Sequence, residues 1–132
     1  MDQPTSVARR ILIVDDEPDI RDSLQTMLEA YGYAIAQAGG TTEALVAIAG
    51  DRPDLVLTDV FLGEDDGYPL LNALRGDEEN IPVIAMSGGG TSPEGQDALE
   101  LAQKLGAVGV IDKPFRIKDL IALIERTLGG SA

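Results

Sequence analysis

Four short apolar runs in this chain each lead into side chains that can do chemistry. "ILIV" (11–14) is followed by Asp15, Asp16 and Glu17, "DLVLT" (54–58) by Asp59, "PVIAM" (82–86) by Ser87, and "VGVI" (108–111) by Asp112 and Lys113. Taken singly, each has a structural explanation. Asp15 and Asp16 suit the start of a helix and its dipole. Asp59 reads as a loop acid, Ser87 as a turn former, and Lys113 as a solvated surface charge. Taken together they describe a different site. Carboxylates crowded at one rim disfavour one another's ionisation unless a cation joins them. Mg2+ fits best, because it is hard, takes oxygen ligands, and uses one or two carboxylates with waters and a phosphate. Ca2+ fits less well, since "GEDDG" (63–67) lacks the alternating acids of a calcium-binding loop. An aspartate beside such a cation is a nucleophile toward phosphorus. Lys113 and Ser87 then supply an ammonium and a hydroxyl for the phosphoryl oxygens, whose positioning and neutralisation are most of what phosphoryl transfer demands.

The composition narrows the alternatives. With 132 residues the chain is long enough for one domain with its own core. It contains neither Cys nor His, so disulfides, thiolate chemistry, imidazole bases and histidine metal sites are excluded. Ten Lys and Arg against 23 Asp and Glu leave a net charge of −13, the wrong balance for neutralising nucleic-acid phosphates. An acidic membrane surface is excluded on the same ground. A small cation, or a partner with a basic patch, suits this surface. The start "MDQPTSVARR" lacks the apolar run of a signal peptide, and no stretch approaches membrane-spanning length, which predicts a cytoplasmic protein.

The same apolar runs, with "YAIAQ" (33–37), read as five strands, most of them near-continuous in apolar residues as expected when both faces are covered. Helical periodicity fills the intervals. Ile20, Leu24, Met27, Leu28 and Tyr31 form the first apolar stripe, with Pro18 suited to the first turn and Gly32 to the C-terminal cap. Further helices are predicted over 41–50, 68–76 and 93–106, the last of these burying Ala98, Leu101, Ala102 and Leu105. A fifth carries Ile117, Leu120, Ile121, Ile124 and Leu128. Five-fold β-α alternation predicts an α/β fold, a doubly wound (βα)5 flavodoxin-like domain whose five-stranded parallel sheet has the order 2-1-3-4-5. Strands 1 and 3 are then neighbours at the topological switch point, where ligands bind beyond the carboxyl ends. All the polar side chains named above stand at that rim.

With the residues in this arrangement the chain resembles the response regulator receiver domain of two-component signalling. The resemblance rests on "VDDE" (14–17), "LTDV" (57–60), Gly67 eight residues beyond the central Asp, "MSG" (86–88) and "DKPF" (112–115), in family order over roughly residues 10–128. It implies a receiver domain at 10–128, flanked by an N-terminal extension (1–9) and a C-terminal tail (129–132). It also implies Asp59 as phosphoacceptor and Mg2+ held by Asp16 directly, by Asp15 through water, by Asp59, and by the backbone carbonyl of Phe61. Ser87 takes the switch serine's place, Lys113 pairs with Asp59 and later with a phosphoryl oxygen, and the bond before Pro114 is cis, as proline permits. Three departures stand out. Val110 occupies a switch position that is often Tyr or Phe, so no ring can swing in behind Ser87. "SGGGTSPEG" (87–95), with Gly88, Gly89 and Gly90, is longer than the usual connection and reads either as a tolerated surface insertion or as a loop that orders on phosphorylation.

The reading that follows is a stand-alone signalling module that takes a phosphoryl group from a histidine kinase or histidine phosphotransfer protein. Its output is a changed protein–protein surface on the face of the fourth helix, fifth strand and fifth helix, where a homodimer is a further option. Other readings are an intermediate in a phosphorelay, a receiver cut from a larger regulator, a Mg2+-dependent phosphohydrolase forming an aspartyl phosphate, and a binding module that is never phosphorylated. The hydrolase is disfavoured because Phe61, two residues beyond Asp59, offers no acid or base. The third departure is that Phe61 and Gly89, at positions that in this family influence phosphoryl loss, cannot orient an attacking water. The phosphorylated protein is therefore expected to dephosphorylate slowly with Mg2+ present; loss within seconds, followed by intact mass, would contradict this.

Overall fold

The structure, a computed structural model, describes residues 9–59, 81–87, 107–113 and 115–129. Within them the chain forms β1 (Arg10–Val14), α1 (Pro18–Ala30), β2 (Ala34–Ala38), α2 (Thr41–Gly50), β3 (Leu55–Asp59), β4 (Val83–Ser87), β5 (Gly109–Asp112) and α3 (Ile117–Gly129). The helices predicted over 68–76 and 93–106 lie outside the described residues. So do Phe61, Gly67, the glycines at 88–90 and Pro114.

All five strands pair in parallel in the order β2-β1-β3-β4-β5, the predicted doubly wound arrangement. β1 ends with its apolar run at Val14, whereas β2, β3, β4 and β5 each end one residue later than theirs.

Alternation along the strands sorts the core into two layers. Ile11, Ile13, Leu55, Leu57, Ile84 and Met86 point to one face, where Leu24 and Leu28 of α1 and Leu120, Ile121 and Ile124 of α3 cover them. Leu12, Val14, Val56, Val83 and Ala85 point to the other, where Ala44 of α2 is buried among them. Burying each such aliphatic side chain is worth roughly 1.5–3 kcal/mol relative to exposure. The interior strands β1 and β3 are apolar on both faces because both are covered.

Two expectations are corrected. Gly109, Val110 and Ile111 read as sheet core, yet all three are only half-buried. β5 is an edge strand, paired on one side only, so its backbone and side chains keep partial access to solvent. The α1 stripe is narrower than its spacing suggests. Leu24 and Leu28 are buried, whereas Met27 lies at the stripe's margin and Tyr31 follows the last helical residue, and both are exposed.

The turn after α1 shows how local chemistry sets the position of β2. Gly32 has φ 94°, and the N–H groups of Gly32 and Tyr33 donate to the carbonyls of Glu29 (3.0 Å) and Leu28 (3.3 Å). This is the double hydrogen bond of a helix C-cap that needs a left-handed residue. Gly109 serves a different need: a Cβ there would stand 3.0 Å from Leu123 Cδ1, so its absence lets α3 approach β5 closely.

Gly32→Ala is expected to lower stability by about 1 kcal/mol, because alanine resists positive φ. Gly50→Ala, in the last turn of α2 with nothing within 4 Å of a new Cβ, should be neutral or stabilise by up to about 1 kcal/mol. Urea unfolding of both variants checks this, and equal effects would contradict the assignment of the turn.

Candidate functional site

Strand register delivers the polar residues to one rim. Val14 pairs with both Ala38 and Thr58, so the next residues, Asp15 and Asp59, leave β1 and β3 at the same level. Asp59 pairs with Met86, which places Ser87 one residue further along β4, and Ser87 pairs with Asp112, immediately before Lys113. β5 is two strands from β3, a separation of about 10 Å at ordinary strand spacing. Only a long side chain can return from there to Asp59, and lysine is one.

The side chains meet. Carboxylate oxygens of Asp15, Asp16 and Asp59 all lie within 4.8 Å of one another. Lys113 Nζ donates to Asp59 Oδ2 at 2.9 Å and to Asp15 Oδ2 at 3.4 Å. Asp15 is fully buried, Asp16 is exposed, and Asp59 lies between these extremes. The group is thus graded from a dry floor to an open mouth.

Electrostatics follow this gradation. Burial pushes the Asp15 carboxyl above the usual carboxylate range; the Glu17 N–H and Lys113 oppose the shift, while the charge of Asp59 adds to it. Burial alone would lower Lys113, but its hydrogen bond to Asp59 and the charges of Asp59 and Asp15 outweigh that and raise it. A lysine raised in the folded state stabilises the fold below its unfolded pKa of about 10.4 and loses that contribution only as pH climbs through the folded value. Lys113 is therefore a permanent cation across the neutral range. One ammonium facing three carboxylates leaves an excess of negative charge, and the hard oxygen donors of Asp15, Asp16 and Asp59 suit a small divalent cation.

The acidic turn has its own supports. Asp15 N–H donates to Ala38 O (3.2 Å), and Asp15 Oδ1 accepts from Glu17 N–H (2.9 Å). The carbonyl of Asp15 accepts from Arg21 Nη1 at 2.7 Å. Neither Asp15 nor Asp16 caps α1; the N-cap residue is Glu17, with no side-chain cap bond. Arg21 was invisible to periodicity, because it falls off the apolar stripe of α1. The available signal was an arginine about one helical turn beyond two adjacent acids.

Of the residues singled out from sequence, Asp15, Asp16, Asp59 and Lys113 are brought together. Ser87 ends β4 beside them in register. Val110 is half-buried and packs with the α2-side layer. Phe61, the glycines at 88–90 and Pro114 fall outside the described residues.

Comparison with known proteins agrees with this arrangement. Residues 11–125 match the response regulator receiver domain family. The chain is 37% identical over 124 residues to the nitrogen assimilation regulatory protein NtrX of Azorhizobium caulinodans, covering 92% of this chain and 26% of that protein. It is 34% identical over 119 residues to the response regulator MprA of Mycobacterium tuberculosis, covering 90% of this chain and 50% of that one. The chain thus spans half or less of the length of these curated relatives. Among solved structures, a CheY-like receiver domain protein from Methanospirillum hungatei superposes with TM-score 0.82 at 31% identity, covering 94% of this chain and 96% of that one. The receiver domain of NtrX from Brucella abortus superposes with TM-score 0.79 at 35% identity, covering 90% and 98%. A parallel sheet in the order 2-1-3-4-5, an acidic cluster at its carboxyl rim and a lysine returning from the edge strand are thus found in a chain that belongs to the response regulator receiver domain family.

Proposed function

We propose that Asp59 is the phosphoacceptor of this signalling module and that Asp15, Asp16 and Asp59 hold Mg2+ beside it. The observation that carries the reading is the position of Lys113, 2.9 Å from Asp59 Oδ2 within a cluster of three carboxylates. In the transfer an Asp59 carboxylate oxygen forms a bond to phosphorus as the phosphorus–nitrogen bond of a phosphohistidine breaks, and the imidazole leaves with the electron pair. With a small acyl phosphate the phosphorus–oxygen bond breaks instead and the carboxylate leaves. Mg2+ held by Asp15, Asp16 and Asp59 would supply positive charge to offset that of the phosphoryl oxygens. Lys113, already paired with Asp59, transfers its hydrogen bond to a phosphoryl oxygen, and Ser87 supplies a hydroxyl from the end of β4. The receiver resemblance adds the backbone carbonyl of Phe61, which lies outside the described residues, as a further ligand.

The donor is a histidine kinase or a histidine phosphotransfer protein. The response is a changed protein–protein surface on the side of β5 and α3, together with the segment before β5. The relatives NtrX and MprA are named as regulators, which favours such a role over turnover of external substrates. The chain acts in the cytoplasm and catalyses no more than its own phosphorylation and dephosphorylation.

The wild type, given acetyl phosphate and Mg2+, is expected to gain a single phosphoryl mass that Asp59→Asn abolishes. Continuous donor hydrolysis at enzyme rates would favour a hydrolase, and no adduct with any donor or kinase would leave a binding module.

A second expectation follows from burial of Asp15. Its raised folded pKa contributes stability below the unfolded value of about 3.9, and that contribution is lost as pH rises through the folded value. At pH 7 the buried charge therefore costs stability, and a bound cation offsets the cost. Asp15→Asn should raise the unfolding midpoint at pH 7 without Mg2+ by roughly 2–6 °C and lose most of the stabilisation that Mg2+ gives the wild type. Equal midpoints without Mg2+, or equal gains with it, would contradict the cluster's electrostatics.

A further inference from the structure

β1 stops at Val14, and the chain must turn sharply into α1 while holding Asp15 and Asp16 toward Asp59. Asp15 N–H still pairs with Ala38 in the manner of the sheet, but the carbonyl of the same residue accepts from a side chain, Arg21 Nη1, at 2.7 Å. That carbonyl belongs to the peptide joining the two adjacent acids, so its orientation sets how both carboxylates are presented. Glu17 N–H fixes one oxygen of Asp15. Among the described residues no hydrogen bond to the Asp16 side chain accompanies these, and Asp16 is exposed, so the peptide before it bears directly on how its carboxylate is presented.

Arg21 is itself held in place. Its Nε donates to Gln37 Oε1 at 2.9 Å, and Gln37 Nε2 donates to Asp22 Oδ1 at 3.1 Å and to Gln25 Oε1. Two acceptors on the nitrogen side fix which end of the amide faces Arg21. The guanidinium thereby spans three elements: it belongs to α1, leans on β2, and ends on the turn after β1. A lysine cannot do this, because its ammonium lacks the planar fork that serves Gln37 and Asp15 in different directions. Gly39 leaves room for the arrangement, since a Cβ there would come within 3.3 Å of Arg21 Nη1.

We infer that Arg21 is a positioning residue for the cation site, holding the Asp15–Asp16 peptide through the Asp15 carbonyl and being oriented by Gln37. The inference rests on the reading of the three carboxylates as a Mg2+ site. Groups that orient metal ligands from behind commonly account for 10–100-fold in metal affinity. Arg21→Met should therefore weaken Mg2+ binding about tenfold, Arg21→Lys should recover only part of the loss, and Gln37→Leu should weaken binding by a smaller factor. Once Mg2+ is saturating, the rate of phosphorylation by acetyl phosphate should return to within about threefold of wild type, because the cation itself then orders the acids.

Calorimetric titration of Mg2+ into wild type and the three variants, well below their unfolding midpoints, tests this. Folded Arg21→Met with wild-type affinity would overturn the inference while leaving the Asp59 reading untouched. Should Arg21→Met fail to fold, Gln37→Leu decides alone, and wild-type affinity in it would overturn the inference. A wild type that binds no Mg2+ at millimolar concentration would overturn both. Mg2+ binding weakened in the variants, in a protein that Asp59 phosphorylation never visits, would retain the positioning role and reject the phosphoacceptor.

Discussion

Parallel pairing in register forces the carboxyl ends of β1 and β3 to the same height, and with them Asp15 and Asp59. Three carboxylates then share a space less than 5 Å across, with the innermost wholly buried. That repulsion is the constraint from which the rest of the rim takes its form. Lys113 compensates part of it from two strands away. Burial raises the Asp15 carboxyl, and the backbone N–H of Glu17 opposes that rise. The excess negative charge that remains suits a small divalent cation. The fold therefore holds stored electrostatic tension at a single edge, with stability supplied elsewhere.

That stability comes from the two apolar layers. β1 and β3 are buried on both faces, so their ends cannot shift without disturbing packing under α1, α2 and α3. β5 differs: it is half-buried and paired on one side only. Lys113 therefore joins the buried centre of the sheet to one of its edge strands. In the proposed phosphotransfer to Asp59, the ammonium would exchange a carboxylate acceptor for a phosphoryl one while staying anchored on β5.

The strands and the helices α1, α2 and α3 were legible because their signals are periodic and local. Apolar runs marked the strands, and Pro18 and Gly32 marked the ends of α1 through steric rules that act within one turn. The acids and Lys113 were legible only as a set, through the chain order that the sheet topology then closed into one rim. What remained hidden was long-range or relational. The half-burial of Val110 follows from β5 lying at an edge, which the predicted strand order implied but the apolar run by itself did not show. The exposure of Met27 depends on the angle at which α1 sits on the sheet. Arg21 and Gln37 meet because β1 pairs with β2, a contact between an ordinary surface-type arginine and a strand glutamine that neither residue announces.

The claim that the rim is an electrostatically crowded, cation-ready site can be measured at one atom. Carbon-13 NMR titration of the Asp15 carboxyl, without and with Mg2+, reports its protonation directly. The midpoint without Mg2+ is predicted to lie above the ordinary aspartate value of about 3.9 and to fall when Mg2+ is added. A midpoint at or below the ordinary value, or one indifferent to Mg2+, would contradict the account.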